Sequence, residues 1–189
     1  DRWDCHTLRG RQSMNLIARP SVLSGTVTAP ASKSHMQRLI ASALLANGES
    51  WIRNPSDASD AWAALSAAAG LGAEAEVGET AIRMVGGLKP RSQELNLGES
   101  GLGIRMFAPI AALVSHPIAL VAEGTLQQRP MTPLADALGR IGVKVELTQG
   151  HAPILLEGPL QGGDLELDGT LSSQFLTGLL MALPCAQKD

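Results

Sequence analysis

Tyrosine is absent from this chain and phenylalanine occurs twice, so aromatic residues fill only 3 % of its 189 positions. That poverty argues against stacking platforms for nucleic-acid bases. A net charge of −3 supplies no general basic field to attract a phosphate backbone. Cysteine is nearly as scarce. Cys5 and Cys185 are too few for a disulfide framework, and together with His6, His35, His116 and His151 they show no metal-ligand spacing. The expectation is a protein of a reducing, cytoplasmic setting with no metal site, no nucleic-acid partner and no membrane partner. No apolar run is long enough to span a bilayer, and residues 1–13 lack the apolar middle of a secretory signal. Met14 reads as a natural start, which makes residues 1–13 an added extension.

What the chain does have is apolar material, 44 % of its residues, enough for a sizeable core. It also has one stretch of unusual chemistry, Ala29-Pro30-Ala31-Ser32-Lys33-Ser34-His35-Met36-Gln37-Arg38. A β-branched segment over 23–28 predicts a strand before it. Leu39, Ile40, Ala43, Leu44 and Leu45 at helical spacing predict a helix after it, over 33–46. The first turn of a helix leaves backbone N–H groups open and favours negative charge, so Lys33 there opposes the dipole unless an anion binds at the same point. Capping competes as an explanation. Ser34-His35-Met36-Gln37 has the capping-box pattern, which accounts for the serines and Gln37 but not for Lys33 together with Arg38.

Further along, the patterning predicts a strand at 50–53, a helix over 57–69 capped by Ser56 or Asp57, and strands at 73–77 and 80–85. Asp57 and Asp60 read as helix-start acids with no chemistry assigned. The order then repeats: strand 94–97, helix 101–114, strand 118–122, helix 131–140, and strands 143–147 and 153–156. Laid over each other at a shift of about 70 residues, Leu71-Gly72-Ala73-Glu74 falls on Ile141-Gly142-Val143-Lys144, and 82–88 falls on 154–160. A third copy opens with a strand at 164–167 and a helix over 172–183. The unit is βαβαββ, an α/β arrangement present twice and a third, with boundaries near 20–88, 89–160 and 161–189.

The same strand-to-helix corner therefore occurs three times with different polar fillings: Ser32-Lys33-Ser34, Glu99-Ser100-Gly101 and Ser172-Ser173-Gln174. If the units are related by rotation, three helix N-termini share one space, where Lys33, Arg38, Arg105 and Arg129 form a pocket for a ligand with several negative charges. Each filling has a plainer reading. Ser172-Ser173 fits an N-cap and Glu99 fits a helix-start acid. Arg129-Pro130-Met131 fits an ordinary loop whose proline opens the next helix. Gly98-Glu99-Ser100-Gly101-Leu102-Gly103 has the wrong spacing for a dinucleotide fingerprint.

Taken together, Ser32-Lys33-Ser34-x-x-x-Arg38, Leu97-Gly98-x-x-Gly101 with Arg105, Arg129-Pro130 and Asp168-Gly169-x-x-Ser172-Ser173-Gln174-Phe175-Leu176-Thr177 resemble the enolpyruvyl transferase family, in its branch acting on shikimate 3-phosphate. The likeness runs from about Leu16 to the last residue. It implies a two-domain enzyme of six βαβαββ units with buried helices and outer sheets, the inside-out α/β barrel domain, of which residues 14–189 are an incomplete substrate-binding domain. It implies transfer of the carboxyvinyl group of phosphoenolpyruvate to the 5-hydroxyl of shikimate 3-phosphate, with no cofactor and no metal. It further implies Lys33 touching both substrates as the catalytic residue. Ser34 and Arg38 would hold the shikimate carboxylate, with Ser172, Ser173 and Gln174 on shikimate 3-phosphate. Gly101, Arg129 and Gln174 would lie on phosphoenolpyruvate, with Arg105 a further candidate. Glu99-Ser100, Leu102-Gly103 and Met106 depart from the family pattern, and a carboxylate at 99 would repel a phosphate unless turned away or paired. The proton-transferring carboxylates would lie in a second domain of the same protein, so this part alone is expected to bind but not to catalyse. The branch acting on UDP-N-acetylglucosamine, whose motifs centre on a Lys-Asn pair and a loop cysteine, and a non-catalytic anion-binding module of the same fold are the competing readings.

Overall fold

A computed structural model of the chain describes residues 20, 22, 24–167 and 173–188. In order they form α1 (Lys33–Leu45), β1 (Glu49–Arg53), α2 (Ser59–Gly70), β2 (Glu74–Val77), β3 (Ala81–Val85), β4 (Glu94–Asn96), α3 (Gly101–Ala111), β5 (Ile118–Val121), a 3-10 turn (Gly124–Gln128), α4 (Thr132–Arg140), β6 (Lys144–Thr148), β7 (His151–Glu157) and α5 (Ser173–Ala182). The strands make two sheets, β1-β3-β2 and β4-β5-β7-β6, antiparallel throughout except for the β4–β5 pair. β1, β2 and β3 of the first unit thus correspond to β5, β6 and β7 of the second. The repeat inferred from the sequence is a repeat of structure.

Two expected strands do not form. Residues 24–28 are exposed and pair with no described strand: Gly25 sits at φ +130°, Val27 is 92 % exposed, and the stretch has no apolar face to bury. By the pairing of β4 with β5, a strand at 164–167 would need a partner from after α5, and no described residue there forms one. Leu165 and Leu167 nonetheless pack against the core. An isolated strand leaves its backbone donors and acceptors without partners, so neither segment gains from the extended ladder geometry. Residues 1–13 and Ser172 lie outside the described residues.

α1, α2, α4 and α5 each bury one face, and α3 lies in the core. α3 is buried from Leu102 to Ala111 apart from half-buried Arg105, because Leu102, Ile104, Met106, Phe107, Ala108 and Ile110 put apolar groups on every side of it but the one Arg105 takes. Sheet residues alternate: Ile82 and Met84 of β3, and Ile154 and Leu156 of β7, point inward between more exposed neighbours. After β3 and β7 the two units close alike. Gly86 lies against the carbonyls of Ala43 and Ala46, and Gly158 against those of Ala112 and Val114, so closely that a Cβ at either would overlap them. α5 docks on α3 at another tight point. Pro109 has no N–H to return to the Arg105 carbonyl, and Gly178 packs there, where a Cβ would stand 2.7 Å from that oxygen.

Ser100 links local and tertiary order. Its hydroxyl accepts from the Gly103 N–H at 3.0 Å, capping α3, and donates to Gln37 Oε1 of α1 at 3.2 Å, with both side chains fully buried. Ser100→Ala removes a cap and leaves a buried acceptor open, so urea unfolding is expected to show a loss of about 2 kcal/mol. A change below about 0.5 kcal/mol would show that the pair is not structural.

Candidate functional site

At α1 the cap is Ser32, whose Oγ accepts from the His35 N–H at 3.3 Å. The capping box expected at Ser34 to Gln37 is not made, because Gln37 turns inward to Ser100. Lys33 is then the first helical residue, a cation at the positive end of the dipole. Asp60 answers that mismatch: its Oδ2 lies 2.8 Å from Lys33 Nζ, and it sits in the first turn of α2, so one carboxylate serves the starts of two helices. α2 begins at Ser59, later than expected, with no side-chain cap from Ala58, while the Ser56 hydroxyl accepts from the Ala58 N–H, ahead of the helix. The Lys33 and Asp60 side chains are 49 % and 19 % exposed, so the pair is partly solvated and contributes at most about 1 kcal/mol. A ligand anion can therefore compete for or join it at little cost. One turn on, Arg38 donates from Nη1 to the Ser34 carbonyl at 2.9 Å, holding its guanidinium back at the helix start.

The densest part of the site is the start of α3. A Cβ added to Gly101 would stand 2.9 Å from Arg129 Nη1, 3.0 Å from Arg105 Nη1 and 3.8 Å from Gln174 Oε1. Three side chains from three elements thus meet over one glycine, and a residue with a side chain would fill the space between them. Arg105 Nη1 donates at 3.1 Å both to the Gly101 carbonyl and to Gln174 Oε1, joining α3 to α5, and its guanidinium lies 5.2 Å from the Phe175 ring centroid. Its Nε is buried with no partner among the described residues. Burial holds the Arg105 pKa below the ordinary arginine value, and the nearby positive charge of Arg129 lowers it further. Among the described residues neither guanidinium has a carboxylate partner.

The structure therefore gathers Gly101, Arg105, Arg129 and Gln174 into one cluster. Lys33, Ser34 and Arg38 stand at the start of the neighbouring α1, tied to the cluster through Gln37 and Ser100. Ser173 is exposed as the first residue of α5, where its carbonyl accepts from Thr177 Oγ1 at 3.1 Å. Arg129 ends the 3-10 turn, and the following helix opens at Thr132 with Pro133 in its first turn, not with Pro130. Asp60 was passed over in the sequence because an acid in a helix's first turn carries no local sign of a distant cation. Glu99 is not the helix-start cap it resembled: Ser100 caps α3, and the Glu99 carboxylate reaches Thr125. Among the described residues no His, Cys, Asp or Glu group is arranged to hold a metal ion, and no helix is long and apolar enough to cross a membrane.

Repeated βαβαββ units whose helices pack beneath the sheets, and helix starts linked beside arginines that have no carboxylate partner among the described residues, define the class: this is the enolpyruvyl transferase fold. Within that class the chain belongs to the EPSP synthase family (3-phosphoshikimate 1-carboxyvinyltransferase), whose profile matches residues 17–189. It is 40 % identical over 180 residues to the 3-phosphoshikimate 1-carboxyvinyltransferase of Methanocorpusculum labreanum, covering 93 % of this chain and 43 % of that protein. It is 36 % identical over 177 residues to the one from Nitrosopumilus maritimus, covering 93 % and 42 %. The solved EPSP synthase of Acinetobacter baumannii superposes with a TM-score of 0.75 at 26 % identity, covering 86 % of this chain and 38 % of that one. The chain thus spans well under half the length of these relatives.

Proposed function

We propose that this chain is the substrate-binding part of a cytoplasmic 3-phosphoshikimate 1-carboxyvinyltransferase, which moves the enolpyruvyl group of phosphoenolpyruvate onto shikimate 3-phosphate and releases phosphate. The observation that carries the reading is the pair of guanidiniums at Gly101, Arg105 and Arg129, one of them half-buried and neither neutralised by a described carboxylate. Two like charges held together at the positive end of a helix are unfavourable until a multiply charged anion enters. Both substrates carry a phosphate and a carboxylate.

Arg129, presenting the planar fork that suits phosphate or carboxylate, holds phosphoenolpyruvate over Gly101, with Gln174 beside it and Arg105 behind. Ser34 and Arg38 hold the shikimate carboxylate, while Ser172, Ser173 and Gln174 hold the phosphate and ring hydroxyls of shikimate 3-phosphate. Lys33, the first residue of α1, touches both substrates and is the catalytic residue of this part. In the reaction the 5-hydroxyl gives up its proton and its oxygen bonds to C2 of phosphoenolpyruvate as C3 gains a proton. The tetrahedral adduct then loses phosphate from C2 and a proton from C3, which restores the C2=C3 double bond of an enolpyruvyl group now joined to the shikimate oxygen. The groups that carry those protons belong to a further domain of the same protein, so these residues supply binding, orientation and charge.

The test is phosphate release by the full-length protein encoded by the gene. Release is expected only when phosphoenolpyruvate and shikimate 3-phosphate are both present, and the 189-residue chain should bind shikimate 3-phosphate without turnover. Release that requires UDP-N-acetylglucosamine would assign the sister reaction. Binding with no turnover even in the full-length protein would make it a non-catalytic module.

A further inference from the structure

We propose that Glu99 is a positioning residue for the phosphoenolpyruvate edge of the site: its carboxylate clamps the loop that carries Arg129. This rests on the reading of Arg129 as a ligand of that substrate. Glu99 stands two residues before Gly101, where a free carboxylate would repel an incoming phosphate. Instead its Oε2 accepts from both the backbone N–H and the hydroxyl of Thr125, each at 3.3 Å. The charge is therefore engaged at the start of the 3-10 turn Gly124–Gln128.

The neighbouring residue is shaped to this contact. Gly124 adopts φ +53°, and a Cβ there would stand 2.5 Å from Glu99 Oε2, so the carboxylate occupies the room a side chain at 124 would need. Two further bonds join the same two loops, and a third orders the first of them. The Glu123 N–H donates to the Gly98 carbonyl at 2.8 Å, Asn96 Nδ2 donates to Glu123 Oε1 at 2.6 Å, and the Gly98 N–H donates to Asn96 Oδ1 at 2.8 Å. From Thr125 the turn runs through fully buried Leu126, whose carbonyl accepts the Arg129 N–H at 3.1 Å. Fixing Thr125 thus fixes the turn, and the turn fixes where Arg129 leaves the backbone. Without Glu99 the backbone hydrogen bond at Glu123 remains, but the start of the turn loses the group that holds it against α3. A guanidinium displaced by an ångström loses its paired geometry on phosphate or carboxylate.

Steady-state kinetics of the full-length protein test this with Glu99→Ala, Glu99→Gln, Thr125→Val and Arg129→Met. Glu99→Ala is expected to raise KM for phosphoenolpyruvate roughly tenfold and to leave that for shikimate 3-phosphate within about twofold. Glu99→Gln keeps a carbonyl oxygen for Thr125 and is expected to stay near the parent enzyme. Thr125→Val, nearly the same shape, should move the phosphoenolpyruvate value in the same direction by less, and it serves alone if the alanine variant does not fold. The clamp is overturned if Glu99→Ala, or Thr125→Val in its place, leaves that KM unchanged or raises both KM values equally. It is also overturned if Gln loses as much as Ala. Arg129→Met separates the two levels: an unchanged KM for phosphoenolpyruvate in that variant removes the underlying site reading itself, whatever the Glu99 variants show.

Discussion

Lys33→Met is expected to weaken shikimate 3-phosphate binding by roughly a hundredfold or more, since a charge-assisted bond to an anion is lost where no other donor takes its place. The same substitution should barely change stability. Lys33 is half exposed and, among the described residues, its one ion pair is the partly solvated one to Asp60, so thermal melting of the free protein should shift by about 2 °C or less. The two readouts together discriminate. A binding role predicts lost affinity with a kept melting temperature, whereas a structural role predicts that both fall. Calorimetry with shikimate 3-phosphate that returns an unaltered affinity would take Lys33 out of the site. Asp60 sharpens the expectation, because in the variant its carboxylate stands unpaired beside the start of α1 and opposes an anionic ligand.

Gly101→Ala should act on the other substrate. The added methyl would sit 2.9 Å from Arg129 Nη1 and 3.0 Å from Arg105 Nη1, closer than ordinary contact, and it would occupy the space into which both guanidiniums point. Arg129 has room to swing, whereas Arg105 is held by the Gly101 carbonyl, Gln174 and the Phe175 face. Alanine is itself a better helix former than glycine, so the helix loses nothing in propensity. In the full-length protein, KM for phosphoenolpyruvate is expected to rise between roughly tenfold and a hundredfold, with shikimate 3-phosphate little affected. Equal losses for both substrates would point instead to a distorted α3.

Much of this was legible from local pattern. Gly101 was legible because a glycine at a helix start asks for a close approach. Arg105 and Arg129 were legible as cations near helix starts in successive elements, and the helix and strand order followed from periodicity and caps. Gln37 was not. Its spacing from Ser34 matches a capping box, yet its side chain is fully buried and bonded to Ser100, 63 positions away. Glu99 was misread for the same reason, since an acid at a helix start satisfies the dipole whether or not it also reaches another loop. The strand expected over 23–28 failed among its described residues because β-branched residues alone do not make a strand when no described strand lies beside them.

By itself the sequence determined the kind of element at each place, the doubling of the βαβαββ unit and the recurrence of polar groups at helix starts. Helical period, cap chemistry and internal similarity are all written within a few residues or in self-comparison. Only the tertiary structure decided which of those groups meet. It set Arg129 and Arg105 over one glycine, gave Lys33 to Asp60, and turned Glu99 away to Thr125. Contacts between units depend on the packing of buried helices against each other, and that is a property of the whole core that no local stretch carries.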